Sequence, residues 1–295
     1  MKTLFSLTKR HIKLYLRDRT SLFFSFLTII IIIALNMFFI SKMNVDGLLE
    51  IIPVDSTKAT HLIHSLTLAG IVFTSTLTVP LSVIGIMVQD EEEKRIMAYL
   101  VAPLSKFKLV LGYILASFIM GCFFAFVILA FSQGYMIYVG AIPLTLLQLL
   151  KIMGISIICV FSNACMVFFL TTFIHSSSSF SSLNIILGTL IGFIAAIYLP
   201  LGLLPEFMQK LLKCFPVFYG ASLLREVYSH TLLDNLFANF PSSSLTDYAN
   251  YMAITISWGD HTISMLTSLL ILVGSGILFI LLSTLVLYYK KGTDR

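Results

Sequence analysis

The densest run of ionisable side chains in the 295-residue sequence is Asp90-Glu91-Glu92-Glu93-Lys94-Arg95. Four carboxylates followed by two cations can pair ions, cap a helix or grip a partner. Carboxylates favour the start of a helix, where the dipole is positive. The run therefore predicts a short helix that opens on its acids, carries an apolar set at Ile96, Tyr99 and Leu100, and stops at Pro103. Other chemistry-bearing residues are sparse. His61 and His64 stand three apart and can share a helix face, but no third ligand lies near them for zinc. Cys122, Cys159, Cys165 and Cys214 form neither a disulfide framework nor a metal-ligand spacing. No Gly-x-x-x-x-Gly-Lys-Ser/Thr loop occurs, so the chain has no backbone cradle for nucleotide phosphates.

Asp90-Glu91 with Arg95 approaches the acid-acid-x-x-x-Arg spacing used in intramembrane proteolysis. That chemistry needs membrane histidines with aromatic partners at helical spacing. None of His11, His61, His64, His175, His230 and His261 has a Phe four residues before it. The sequence reads as a chain that catalyses nothing itself and binds no metal.

The elements that must position the acid run are membrane helices. Hydrophobic residues make up 58% of the chain and charged ones 11%, against about 25% charged in a soluble domain. A soluble enzyme, a disordered chain and a disulfide-stapled secreted domain are excluded. The apolar residues come in continuous blocks, so the fold class is all-α and polytopic rather than a barrel. Six spans are expected at about 20–41, 62–89, 109–132, 152–174, 183–199 and 264–289. Segments 1–19, 90–108, 175–182 and 290–295 hold thirteen of the nineteen Lys and Arg residues. The positive-inside bias makes these cytoplasmic, with both termini inside. The net charge of +5 thus faces anionic lipid, and no basic-aromatic cluster points to nucleic acid. No cleavable signal peptide is expected.

Between the spans, residues 2–18 place Lys2, Lys9, Arg10, Lys13 and Arg17 in one arc of a helical wheel, which predicts an amphipathic helix in the inner interface. The 290–295 stretch is a cytoplasmic tail. The loop His175-Ser-Ser-Ser-Ser-Phe-Ser-Ser182 reads as a flexible hinge. In the outer segment 200–263, an amphipathic turn opens at Leu204-Pro205-Glu206-Phe207-Met208, Pro216 breaks it, and Ala221–Tyr228 forms a second short helix. We expect 200–228 to be re-entrant half-helices and 229–260 a solvent-exposed cap.

The spans carry almost no ionisable groups, which argues against an ion-coupled carrier. Pro80 should kink the second span, and Thr74, Ser75 and Thr78 could satisfy the freed backbone or line a path, as could Asn36 and Asn184. Any energy for transport would have to come from another polypeptide.

The acid run followed by Tyr99-Leu100-Val101-Ala102-Pro103-Leu104-Ser105 resembles the coupling loop of ABC-type-two export permeases. The stretch Leu204-Pro205-Glu206-Phe207 through Cys214-Phe215-Pro216-Val217-Phe218-Tyr219 to Leu224-Arg225-Glu226 is similar to that family's second signature, before the last span. The resemblance implies a permease subunit of an ABC exporter in the cell membrane. It implies an ATP-binding-cassette ATPase partner that holds ATP and Mg, and a second permease chain, identical or paralogous. It makes Glu91, Glu92, Glu93, Lys94, Arg95, Tyr99, Leu100 and Pro103 the coupling residues, and Pro205, Pro216, Tyr219 and Arg225 the outer half-helix signature. The expected substrate is hydrophobic or amphipathic, such as a drug or antimicrobial peptide. A lipid-linked glycan is the alternative, and a non-transporting scaffold or sensor for an ATPase is a different class of reading. One departure stands out. The family often has Gly after the acidic-basic pair, where this chain has Lys94, and without the Gly the coupling helix is expected to begin earlier.

Overall fold

The computed structural model describes residues 2–20, 22, 23, 27, 30, 31, 34, 41–51, 54–95, 105–259 and 261–289. Most of the expected first span, with Asn36, lies outside the described residues, as do Tyr99, Leu100, Pro103 and the tail 290–295.

In chain order the helices are α1 (Lys2–Arg17), α2 (Ser41–Ile51), α3 (Ser56–Glu92), α4 (Lys106–Tyr138), α5 (Leu146–Thr171), α6 (Ser177–Ile194), α7 (Glu206–Lys213), α8 (Pro216–Phe237), α9 (Ser242–Tyr251) and α10 (Met265–Tyr289). A 3₁₀ turn covers Leu201–Leu203, and β1 (Ser257–Trp258) pairs antiparallel with β2 (His261–Thr262). Among the described residues, five helices are long and apolar enough to cross a membrane: α3, most of α4, α5, α6 and most of α10. The chain is an all-α, polytopic membrane protein.

Local chemistry sets the helix starts. Asp55 accepts the Thr57 N–H at 3.1 Å before α3, and Thr145 with Gln148 makes a reciprocal capping box before α5. Ser176 accepts the Ser179 N–H at 3.3 Å before α6. Ser177–Ser182 are therefore helical, not the flexible hinge expected of a serine run. The fifth span begins and ends about one and a half turns earlier than the hydropathy placed it. A serine that can cap and then bond back to its helix, as Ser181 does to the Ser177 carbonyl, is compatible with a helix start.

The bundle is centred on α3, which packs on α4, α5, α6 and α8. We call the end carrying Asp90 inner and the opposite end outer. The main core unites Phe73, Leu77, Val110, Phe124, Cys159, Val167, Phe218 and Leu224. A second, outer core joins Val45 and Leu48 of α2, Leu62, Ile63 and Leu66 of α3, Leu233, Leu236 and Phe237 of α8, and Tyr248 and Met252. This corrects the reading of 229–260 as a solvent-exposed cap. Residues 45–66 thus supply about half of the core beneath this outer segment. Pro216 occupies the first position of α8, where its missing N–H costs nothing. The second half-helix expected over Ala221–Tyr228 is in fact a 22-residue helix.

Candidate functional site

The acid run sits at the end of α3, not at the start of a new helix. Asp90, Glu91 and Glu92 form its last turn and Glu93 is its C-cap. The Glu93 N–H reaches the Gln89 carbonyl at 2.9 Å and the Lys94 N–H reaches that of Glu91 at 3.0 Å. Lys94 itself has φ +59°, the left-handed conformation that ends helices and usually falls to glycine. Lys94 therefore does not extend a helix, and the earlier start expected from the missing Gly does not occur. The position keeps the geometry of a glycine stop with a lysine in it.

Carboxylates at a helix C-terminus face the negative end of the dipole, so each needs a partner. Asp90, fully buried, accepts from both Arg10 guanidinium nitrogens at 2.7 and 2.8 Å and from the Tyr113 hydroxyl at 2.8 Å. Arg95 stands 3.6 Å away and also pairs with Glu93. Glu91 meets the His175 Nδ1 at 2.7 Å. Glu92 accepts the Ser177 N–H at 3.2 Å and the Ser177 hydroxyl, and so lies at the positive end of α6. Three successive acids thereby bind four other parts of the chain: α1 and α4, the end of the α5–α6 connection, and α6. Glu93, Lys94 and Arg95 remain exposed at the surface.

The inner helix α1 is drawn into this junction. Leu7, Thr8, His11 and Tyr15 form its buried stripe. His11 stacks on Tyr113 with ring centroids 4.0 Å apart and planes 8° apart. Burial pushes the His11 pKa down to about 4, which keeps a neutral ring beside the ion pair. Arg10 is thus turned toward the bundle, and the simple picture of all α1 cations facing headgroups fails at this residue. No sequence pattern marks this, because Arg10 shares its arc with Lys9 and Lys13. Asp90 is one acid among four in sequence, Tyr113 falls in an expected span and Ser177 in the expected hinge loop.

Among the described residues, the expected lining residues Thr74, Ser75, Thr78 and Asn184 do not converge on a path inside the chain. Thr74 and Thr78 bond the carbonyls four residues back, of Gly70 and Thr74, at 2.8 and 3.1 Å. Ser75 bonds that of Val72 at 2.6 Å. Thr74 and Ser75 are buried, and Asn184 is exposed on α6. Sequence reading missed Asn163, whose amide donates to the Thr76 hydroxyl at 3.0 Å in the buried core beside the Pro80 turn.

At the outer end, Pro205 precedes α7 and Pro216 begins α8. Tyr219 is buried, with its hydroxyl 3.4 Å from the Trp258 indole N–H. Arg225 is also buried, and its guanidinium donates to the Met252 carbonyl and, at 2.6 Å, to that of Ala196. His64 meets the Tyr135 hydroxyl at 3.3 Å, and no cluster of metal-ligating side chains occurs among the described residues.

A family model described as ABC-2 family transporter protein matches residues 52–285, well over half of the chain. It covers α3 through most of α10, including the acid run and the Arg225 region. No curated protein matches the sequence.

Proposed function

The chain belongs to the ABC-2 transporter family, and from that premise we propose that it is the permease subunit of an exporter driven by ATP hydrolysis on a separate ATPase chain. The family supplies the coarser statement, a multi-pass ABC permease that works with an ATPase. Outward direction, substrate and dimeric state are our reading. The substrate class we propose is hydrophobic or amphipathic, in line with spans that offer almost no ionisable side chain to a charged cargo. Two permease chains, alike or paralogous, would sit in the cell membrane with both termini inside.

The observation that carries this reading is the junction around Asp90. A partner pressing on exposed Glu93, Lys94 and Arg95 would push on one turn of helix to which α1, α4 and α6 are all bonded. Closure of an ATPase pair supplies differential binding energy, and the bundle responds by moving between two packings. Glu91 and Glu92 act in this scheme as ties inside the permease, and the outward-facing contact falls to Glu93–Arg95.

The test is purification of the tagged chain in mild detergent with mass spectrometry of its companions, followed by transport in vesicles. A stoichiometric phosphate-loop ATPase is expected. A chain that stays alone under conditions that preserve other ABC complexes would remove the coupling partner. Substituting Glu92 or Arg95 is expected to separate ATP hydrolysis from transport while leaving the bundle folded, and unchanged transport in both variants would overturn the assignment.

A further inference from the structure

We propose that α6 is a strut held at its two ends by charged side chains of its neighbours, and that Arg225 is the positioning residue that passes displacement of the inner acid run to the outer element. The proposal rests on the coupling reading above and adds the route and the residue at its receiving end.

Eighteen helical residues span about 27 Å, close to the ~30 Å of a hydrocarbon core. The buried residues of α6 are Ile191, Gly192 and Ile194, all in its last turn. Before that turn the helix touches the main core along one face only, through the half-buried Phe180, Leu183 and Leu187, and its other faces are exposed. Two close approaches to α3, one on α6 itself and one just past its outer end, fall at glycines of α3. A Cβ on Gly85 would lie 2.7 Å from the Phe180 ring near the inner end, and one on Gly70 would lie 2.6 Å from Ile197 near the outer end.

The ends are held differently. At the inner end, the Glu92 carboxylate takes the Ser177 N–H and hydroxyl, a negative charge against the positive helix terminus. At the outer end α6 stops in a Schellman turn: Ala196 N–H to the Phe193 carbonyl at 2.9 Å and Ile197 N–H to that of Gly192 at 3.0 Å. The left-handed residue is Ala196, φ +45°. Helix α9 stops in the same way, with Ala253 N–H to Asn250 at 3.2 Å, Ile254 N–H to Ala249 at 2.8 Å, and Ala253 at φ +55°. Arg225 donates one nitrogen to the Ala196 carbonyl in the first turn and the other to the Met252 carbonyl in the second.

One guanidinium thus joins the negative ends of two helices, and both turns hold an alanine in a conformation that disfavours a side chain. Planar, divergent donors make this possible, and an ammonium could not serve both carbonyls in the same way. Arg225 lies on α8, whose later residues Leu233, Leu236 and Phe237 enter the outer core. A shift of α6 along its axis is therefore delivered to α8 and α9 together.

The experiment uses the full chain with its ATPase in nanodiscs and pulsed electron spin resonance distances. One label pair reads the inner end, Phe107→Cys with Ser182→Cys, and one reads the outer end, Ile137→Cys with Phe207→Cys; all four positions are exposed. The native cysteines are replaced. In the otherwise unaltered chain, ATP with vanadate should shift both distance distributions. In Arg225→Lys the inner shift should persist and the outer shift should fall by at least half. Arg225→Gln should do the same, and if it fails to fold, Arg225→Lys carries the test. An outer shift that survives undiminished in Arg225→Lys overturns the strut. No shift at either pair in the unaltered chain overturns the coupling reading itself.

Discussion

The inner junction and the outer element each bury one charged side chain, and they compensate for it in opposite ways. Asp90 is an anion met by a cation, Arg10, with a tyrosine hydroxyl alongside. Arg225 is a cation that hydrogen-bonds backbone carbonyls at two helix ends and no carboxylate. An ion pair whose cation is still 29% exposed can be loosened by water or by a competing charge. A guanidinium embedded between two helix termini has no such competitor, because its partners are fixed parts of the backbone. The inner site is built to be disturbed and the outer one to be carried along.

The sharpest way to break this contrast is to remove the buried cation. Arg225→Ala leaves two buried carbonyls without their donor and opens a cavity, and should cost about 4 kcal/mol. Thermal unfolding in detergent should show the loss, with α9 amides losing exchange protection first. Asp90→Asn should cost less, about 3 kcal/mol, by taking away the buried negative charge that Arg10 and Tyr113 bond. If the site is a true pair, Arg10→Met with Asp90→Leu should recover much of that loss. A double-mutant cycle with no coupling between positions 10 and 90 would erase the distinction between the two regions.

A smaller effect follows from His11. Its folded value of about 4 lies below its ordinary 6.5, so the undocked helix binds more protons between those two values. Docking of α1 is therefore at full strength above pH 6.5 and weakens as pH falls toward 4, by about 2 kcal/mol at pH 5. Arg10 and Asp90, which flank the ring, oppose each other electrostatically. The protection factors of α1 amides, corrected for the pH dependence of chemical exchange, should fall from pH 7.5 to 5, and His11→Phe should flatten the profile. The outer element should not follow that curve. The smallest change expected is a gain: Lys94→Gly should stabilise the inner turn by about 1 kcal/mol, since glycine tolerates φ +59°. A melting temperature that falls in Lys94→Gly would mean that the lysine side chain matters more than its backbone.

Five of the six expected spans, and their order, were legible because about 20 apolar residues per crossing is a strong signal. The starts of α7 and α8 were legible from Pro205 and Pro216, because proline suits the opening of a helix. The junction was not. Four acids in a row suit a helix start by the dipole rule, and only the three-dimensional arrangement shows Arg10 and the α6 terminus overruling it at the helix end. Lys94 misled for a related reason: propensity favours a lysine inside a helix, and nothing local reveals a left-handed stop. The serine run read as flexible because serine is compatible with both caps and loops. Arg225 was found by resemblance, but its role depends on carbonyls 29 and 27 residues away, which no local pattern encodes.

The outer core has a bearing on how the chain is made. Its early half, Val45, Leu48, Leu62 and Ile63, must wait for Leu233, Phe237 and Tyr248, and the Ser65 hydroxyl bonds a carbonyl 163 residues later. At ~5–20 residues per second of synthesis, that wait is on the order of ten to thirty seconds. During it, an apolar patch emerges with no chain yet available to cover it. Biogenesis of this permease therefore includes an interval in which an insertase, a chaperone or the bilayer surface must shelter residues 45–66, and slow translation past residue 66 would lengthen that exposure.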